Sequence, residues 1–513
     1  MASDSKDFYA TLLSIQWLSV LSYIGNFFMV LSIIKAIRLA YFSPLKQIPG
    51  PWYASLTGLR LSWSVFANNR IHYVHSLHQK YGPIVRIGPR EIDVADPVAG
   101  REIHRMGSGF TKAPFYALLS PGPVDNIFNF RDAKLHSARR KLYARGFTLQ
   151  SLRNEWEPRV RDVIKLTVER IKCDALKGEA EVMGWWTLMA NEVVCQLTFG
   201  GGAGIVAKGV KEPFVLMLER RMGDLAHLLK HFVPPGYYLG RALAWVIPPL
   251  QDVFYSQEKM FAAGGDVVSR AREVKTAGTG PRNLFNKALE DGSLTDTDII
   301  TDAGALLLAG SDPTAISLTF LLWCVLNRPE VQKQVEAEVA TLEGEVTDEA
   351  CERLPILNAV IDESLRLYGA APGCMPRSPP PGGATIGGYF VPGDTVVVTQ
   401  NWSLQRNRDI WEDADTFDHT RWLSDQRMTE QAKLAFNPFG YGARQCLGIH
   451  LGRMEMRLAA AMFFRECAGA RLAPSVTEDS MRVVDSFIAG VPRDRRCGIT
   501  LEWASNDRKE TLL

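Results

Sequence analysis

The polar pattern of the chain breaks first at residues 8–34, a run of 27 positions without a charged side chain. As a helix the run extends about 40 Å, enough to cross a hydrocarbon core of ~30 Å. It is longer than the apolar core of a signal peptide and has no evident small-residue cleavage site, so it reads as a membrane anchor. Ile48-Pro49-Gly50-Pro51 follows as a stiff, extended hinge. Between Tyr81 and Asp96, Ile84, Val85, Ile87, Ile92 and Val94 are interrupted by Gly and Pro, the pattern of two short strands in a hairpin. Beyond Arg101 helical spacing dominates. Residues 132–140 read as a helix with His136 and Arg140 on one face. Residues 295–327 read as one long helix. Thr295 and Asp298 have capping-box spacing, Asn327-Arg328-Pro329 ends it, and its middle is apolar all round, which predicts burial. Residues 384–402 alternate as a second hairpin, and Leu451, Met454, Leu458, Met462 and Phe463 give an apolar face to a late helix. The pattern predicts an α-rich fold with a small sheet.

Two stretches resist a single reading. Residues 200–207 contain a GxGxxA pattern, but the run before them looks like a helix end, and a dinucleotide site needs a strand there. They read as a flexible loop. Residues 211–249 alternate apolar helix with Pro234-Pro235-Gly236 and Pro248-Pro249. They are apolar and aromatic for a surface connection, which fits a second membrane contact, a substrate mouth or a core helix pair.

Composition narrows the class. The 513 residues are 46% hydrophobic and 22% charged, with a formal net charge of +2, so nothing points to nucleic acid. The eight cysteines are scattered without CxxC spacing, which argues against a zinc site and a disulfide framework and for a reducing compartment. Asp4, Lys6 and Asp7 precede the anchor run; Lys35, Arg38 and Lys46 follow it. The positive flank stays cytosolic, which puts the body of the chain in the cytosol.

The chemistry concentrates at residues 439–448. This glycine-rich loop ends in Cys446 just before the late helix, where free N–H groups and the helix dipole favour a thiolate. Gly440, Gly442 and Gly448 clear room for something flat and large, and a thiolate is a ligand for a haem iron. A second irregularity sits inside the long helix, at Ala309-Gly310-Ser311-Asp312-Pro313-Thr314. Proline in a helix interior costs about 3 kcal/mol and frees the carbonyl of Ala309, so a fold keeps it where a distorted turn is useful.

The loop resembles the haem-binding signature of the cytochrome P450 family, Phe-x-x-Gly-x-Arg-x-Cys-x-Gly. Phe439, Gly442, Arg444, Cys446 and Gly448 fill its fixed positions. The central helix is similar to the family's oxygen-activation motif at Ala309, Gly310, Asp312 and Thr314, with Pro313 where the family has a threonine. Glu363 and Arg366 match its Glu-x-x-Arg, and Arg421 matches its later arginine, with His419 replacing a proline. His136 and Arg140 match its Trp-x-x-x-Arg in the form with His that fungal members often carry.

The resemblance implies a mainly α fold with a small β-rich lobe: one haem domain over residues 44–513 behind an anchor over residues 1–43. It implies haem b with Cys446 as axial ligand. Arg140, Arg377 and Arg444 are expected at the propionates, with Arg139 as a substitute for Arg140. Asp312 and Thr314 are expected to pass protons, with Ser311 or an ordered water as further replacements for the missing alcohol. Glu363, Arg366 and Arg421 are assigned to fold support. The expected function is a monooxygenase placing one oxygen atom of O2 into a lipophilic small molecule, in the style of fungal microsomal members of secondary metabolism. Electrons would come from an NADPH-cytochrome P450 reductase, with cytochrome b5 as an allowed second donor. The setting would be the endoplasmic reticulum membrane. Substrate-lining positions by family analogy are residues 110–116, 306–309, 370–375 and the tip near Phe487. Two alternatives stay open: a member that rearranges, desaturates or dehydrates its substrate, favoured by Pro313, and a non-enzymatic haem sensor.

Overall fold

The structure, a computed structural model, describes residues 2–120, 122–200, 204–209, 234–277, 284–373, 375–486, 488–491 and 497–502. The anchor run lies in helix α1 (Ala2–Tyr41). Its Ser22–Tyr41 part is long and apolar enough to cross a membrane, and Tyr23, Phe27 and Phe28 on it are exposed. The hinge behind it is clasped to the body. Arg86 donates through Nη2 to the carbonyls of Leu39 (3.0 Å) and Pro89 (2.8 Å), and its own N–H donates to the carbonyl of Pro49 (2.7 Å).

The main sheet is built from short strands far apart in sequence: β1 (Ile84–Gly88), β2 (Glu91–Val94), β3 (Thr111–Lys112), β4 (Arg377–Ser378) and, after the hairpin β5 (Ala384–Ile386) and β6 (Tyr389–Val391), β7 (Val396–Val398). β1 and β2 pair antiparallel, with Ile84 opposite Val94, as the Gly- and Pro-broken pattern predicts. The order is β1-β2-β7-β4-β3. The expected hairpin at residues 384–402 is therefore corrected. Only β5 and β6 pair with each other; a turn closed by Thr395 N–H on the Pro392 carbonyl redirects the chain, and β7 runs parallel to β2. Asn401–Leu404 is helical.

The helical layer holds the core. It includes α2 (Ala133–Ala144), α3 (Val182–Phe199), α4 (Ser256–Ala277), α5 (Asp296–Leu326), α6 (Pro355–Tyr368) and α7 (Ile449–Glu466). α5 has the predicted ends: both capping-box hydrogen bonds are made between Thr295 and Asp298, and Asn327 closes it. It is buried along most of its length and packs on α3, α4, α6 and α7. It is also long and apolar enough to cross a membrane, but its burial makes it the core helix of the domain. Gly310 sits so close to α3 that a Cβ there would collide with Val194. The glycine therefore serves helix packing as well as any distortion at Pro313. Gly200 and Gly204, both at positive φ, end α3 and start the next helix, so residues 200–207 follow a helix and not a strand. Lys211 to Val233 lie outside the described residues. Past them, Tyr238, Leu239, Trp245 and Val246 are exposed, while Tyr237, Ala244 and Phe254 pack together beneath.

One buried ionic network ties α6 to the segment ahead of the cysteine loop. Glu363 takes Arg366 in a two-pronged pair, Nε to Oε2 and Nη2 to Oε1, both at 2.8 Å. It also accepts from Arg421 Nε (3.3 Å), Trp422 Nε1 (3.0 Å) and the N–H of Asp418 (2.9 Å). Arg366 spends its remaining donors on the carbonyls of Gln405, Ala414 and Thr416. Both members of the central pair are fully buried, and every charge is matched by hydrogen bonds. Removing one partner strands the other. Glu363→Ala is expected to destabilise the domain by about 3–5 kcal/mol, read as a lower denaturant midpoint or failure to accumulate folded protein. A midpoint shift under ~1 kcal/mol contradicts this.

Candidate active site

The loop at residues 437–446 is shaped by its own backbone. Gly440 N–H donates to the Asn437 carbonyl and Cys446 N–H to the Phe439 carbonyl, both at 2.9 Å. Gly442 has φ 60°, and a Cβ on it would strike the carbonyl of His104, so only glycine fits there. Cys446 precedes α7, whose N-cap is Gly448. Its side chain lies deep in the protein yet is open to a cavity of about 480 Å³, a size typical of cofactor and small-molecule sites. Burial pushes the thiol up from its ordinary value; the Gly448 N–H and Arg140 oppose this without overcoming it. The Gly448 N–H at the helix start favours the thiolate, as the sequence suggests, and the charge of a bound metal would add to it.

One corner of the cavity is strongly cationic. Lys112, His136, Arg140 and Arg444 line it. Arg140 donates to the Gln445 carbonyl at 2.9 Å. Arg444 reaches the carbonyls of Arg131 and Asp132 only at 3.4–3.5 Å, and its Nη1 is buried with no partner. Burial pushes it down to about 10. Lys112 is buried, donates to the Phe128 carbonyl, and is pushed well down by burial and by repulsion from Arg377 and Arg444. His136 is pushed down to about 3 by burial and the same cations. Among the described residues no carboxylate pairs with this group; Asp132 caps α2 from a solvent-exposed position. Buried cations without counter-charge are costly, and two carboxylates on one flat cofactor would supply it. The residues present thus fit haem b, with the sulfur of Cys446 on the same cavity.

Three of the expected residues have protein partners of their own. Arg377 is buried and bonds Tyr116 Oη (3.3 Å) and the Pro376 carbonyl (3.1 Å); it stands off the cavity wall, within electrostatic reach of Lys112 and Arg444. Arg139 does not substitute for Arg140, because it is committed to Asp302 (2.6 Å) and Asp298 (2.9 Å) on α5. Ser311 does not replace the missing alcohol, because its hydroxyl donates to the Leu307 carbonyl (2.7 Å) and takes Asn191 Nδ2 (3.2 Å) on α3.

Asp312, Pro313 and Thr314 do line the cavity, as do Phe439 and Gly448. Thr314 Oγ1 donates to Glu455 Oε2 on α7 at 3.2 Å. Glu455 is fully buried, its Oε1 has no partner, and burial pushes it up to about 8. This acid was missed from sequence. It lies on the apolar late helix and reads there as a solvated charge; only the fold turns it inward.

Of the lining ranges, Leu306, Leu308 and Ala309, and Ala370, Ala371 and Met375, are on the wall. Within residues 110–116 only Lys112 is, at the cationic corner. Phe487 lies outside the described residues, and its neighbour Ile488 is on the wall. Leu119, Ile127, Val194, Leu197 and Met260 are among the further apolar lining residues that were not expected.

A family model described as cytochrome P450 matches residues 47–475. The cytochrome P450 monooxygenase stcB of Emericella nidulans is 90% identical over 467 residues, covering 91% of this chain and 90% of that protein. The cytochrome P450 monooxygenase aflV of Aspergillus parasiticus is 67% identical over 485 residues, covering 93% and 95%. The methylphloroacetophenone oxidase of Cladonia uncialis is 37% identical over 394 residues, covering 74% and 86%. With a cysteine facing a cation-cornered cavity under a long buried helix, and with these matches, the chain belongs to the cytochrome P450 family of haem-thiolate monooxygenases.

Proposed function

We propose that this chain oxygenates a lipophilic aromatic molecule of fungal secondary metabolism: substrate, O2, NADPH and a proton give the oxygenated product, water and NADP+. The observation that carries the reading is a single cavity lined by apolar residues of α5 and α3, by Cys446 and the cationic group, and by Asp312, Thr314 and Glu455. Cys446 would bind the haem iron through its sulfur. Arg444, Arg140 and Lys112 would hold the carboxylates, with His136 among them and Arg377 adding its field from behind. Bound there, haem would supply oxidation by dioxygen. An aromatic substrate with phenol and ketone groups is supported by the relative named for methylphloroacetophenone.

Proton supply rests on this chain's own groups. Pro313 removes the usual alcohol, and Thr314 bonded to the uncharged carboxyl of Glu455 offers a donor pair within the cavity wall. Asp312 lies one residue before the proline on the same wall. The electron source is an NADPH-dependent reductase. The proposed setting is a single-pass anchor in the endoplasmic reticulum membrane, with one haem domain over residues 44–513 in the cytosol; the exposed apolar α1 and the basic residues after it support this.

Two measurements follow. Full-length enzyme with a reductase in lipid vesicles, given phenolic aryl ketones and 18O2, is expected to incorporate one 18O atom per product with matching NADPH use. Product formed without O2 or NADPH contradicts the reading and favours rearrangement or dehydration. The second concerns Glu455. Its folded-state value of about 8 lies above its ordinary 4.5, so the folded state holds a proton that the unfolded state releases. Stability then falls as pH rises from about 4.5 to 8, by ~1.4 kcal/mol per unit from this proton. Glu455→Gln is expected to flatten that slope in thermal unfolding of the haem-loaded protein; unchanged slopes contradict it.

A further inference from the structure

A second carboxylate on α5 is bound up differently from Asp312. Asp302 is fully buried and does not line the cavity. Its Oδ2 accepts from Arg139 Nη1 at 2.6 Å and from Tyr143 Oη at 2.9 Å, both on α2. Its Oδ1 accepts from the backbone N–H of Ile127 at 2.8 Å. Arg139 already has Asp298 at 2.9 Å, so holding α2 does not by itself require a second acid. What Asp302 holds and Asp298 does not is the Tyr143 hydroxyl on α2 and, outside the helices, the backbone of Ile127.

Ile127 belongs to the segment 122–130, which covers the cavity. Ile127 and Phe128 are on its wall. The turn around them is knotted internally: Asn126 Oδ1 accepts the N–H groups of Phe128 (2.8 Å) and Asn129 (3.1 Å), and Asn129 Oδ1 accepts that of Asn126 (2.6 Å). Such a knot moves as a unit, and its Ile127 N–H points outward to α5. Near the start of the segment, Gly122 lies so close to α5 and α4 that a Cβ would strike Thr301 and Phe261. The wall is thus seated on α5 at two places. Of these two, only the Ile127 N–H to the Asp302 carboxylate is a hydrogen bond, the more directional kind; off α5, Lys112 holds the neighbouring Phe128 carbonyl.

We propose that Asp302 is a positioning residue for substrate: through Ile127 N–H it sets how far the Ile127–Phe128 wall stands from the reacting centre. Through Arg139 and Tyr143 the same carboxylate joins that wall to α2, the helix that carries His136 and Arg140 to the cationic corner. α2 keeps its second tie to α5 through Arg139 and Asp298, so the part that depends on Asp302 is the wall. The inference rests on the proposed oxygenation of a lipophilic molecule, but the bond and the wall are features of the chain itself.

The test uses the haem-loaded full-length protein and two azole probes read by the shift of the haem absorbance band. Imidazole is small enough to ignore the wall; 4-phenylimidazole carries a ring that meets it. Asp302→Ala removes the acceptor, whereas Asp302→Asn keeps an acceptor oxygen for Ile127 and drops the charge. The alanine variant is expected to bind 4-phenylimidazole at least tenfold more weakly with imidazole unchanged within twofold, and the asparagine variant to bind both within threefold of wild type. Unchanged 4-phenylimidazole binding in the alanine variant, equal weakening of both probes, or equal weakening in both variants overturns the proposal. Should the alanine variant fail to load haem, hydrogen exchange of the wild type decides: the Ile127 amide should exchange as slowly as the core of α5, and fast exchange overturns the proposal. Azole binding needs neither dioxygen nor reductase, so failure here is distinct from failure to oxygenate.

Discussion

Positive charge at the cavity with no counter-charge among the described residues is the constraint on which this structure turns. Buried Lys112 and half-buried Arg140 and Arg444 converge on one corner of the cavity around the imidazole of His136, with Arg377 behind them, and burial lowers the affinity for protons of Lys112, His136, Arg140 and Arg444. A chain that folds with such a cluster keeps it because a cofactor completes it. The same incompleteness appears at Cys446, whose thiol is pushed up by burial, a cost that the charge of a nearby metal would offset. Cavity, cations and sulfur are three parts of one unbalanced site.

The contrast with the second charged cluster is instructive. Glu363, Arg366 and Arg421 are deeply buried, yet both carboxylate oxygens and most N–H groups find partners. That network is self-sufficient and supports the fold. Sequence spacing alone would make Glu363 and Arg366 an ordinary exposed helical pair; burial separates the two meanings. On α5 the same distinction sorts the acids. Asp302 is saturated by three donors, while Asp312 and the Thr314–Glu455 pair face the cavity.

Features set by local rules were legible in the sequence. The capping box at Thr295, the hairpin of β1 and β2, and the helix behind Cys446 all follow from residues a few positions apart. The site loop was legible for the same reason, since five fixed positions lie within ten residues. What the sequence hid depends on distant partners. Arg139 and Arg140 are neighbours in the chain, but only α5 shows that one faces Asp302 and the other the cavity. Ser311 turns to Asn191 on another helix, β7 leaves its hairpin for β2, and Glu455 is aimed inward by the packing of α7 on α5. Lys112 sits in a range expected to meet substrate, and its place at the cationic corner comes from the pairing of β3 with β4.

In the proposed function Cys446 ligates haem as a thiolate in the cavity that the cations also line. The absorption spectrum of the reduced, carbon monoxide-treated protein tests this most directly. The long-wavelength Soret band of a thiolate-ligated haem is expected in the wild type and its loss in Cys446→Ala. A well-folded, haem-containing wild type lacking that band, or an alanine variant that keeps it, contradicts the claim.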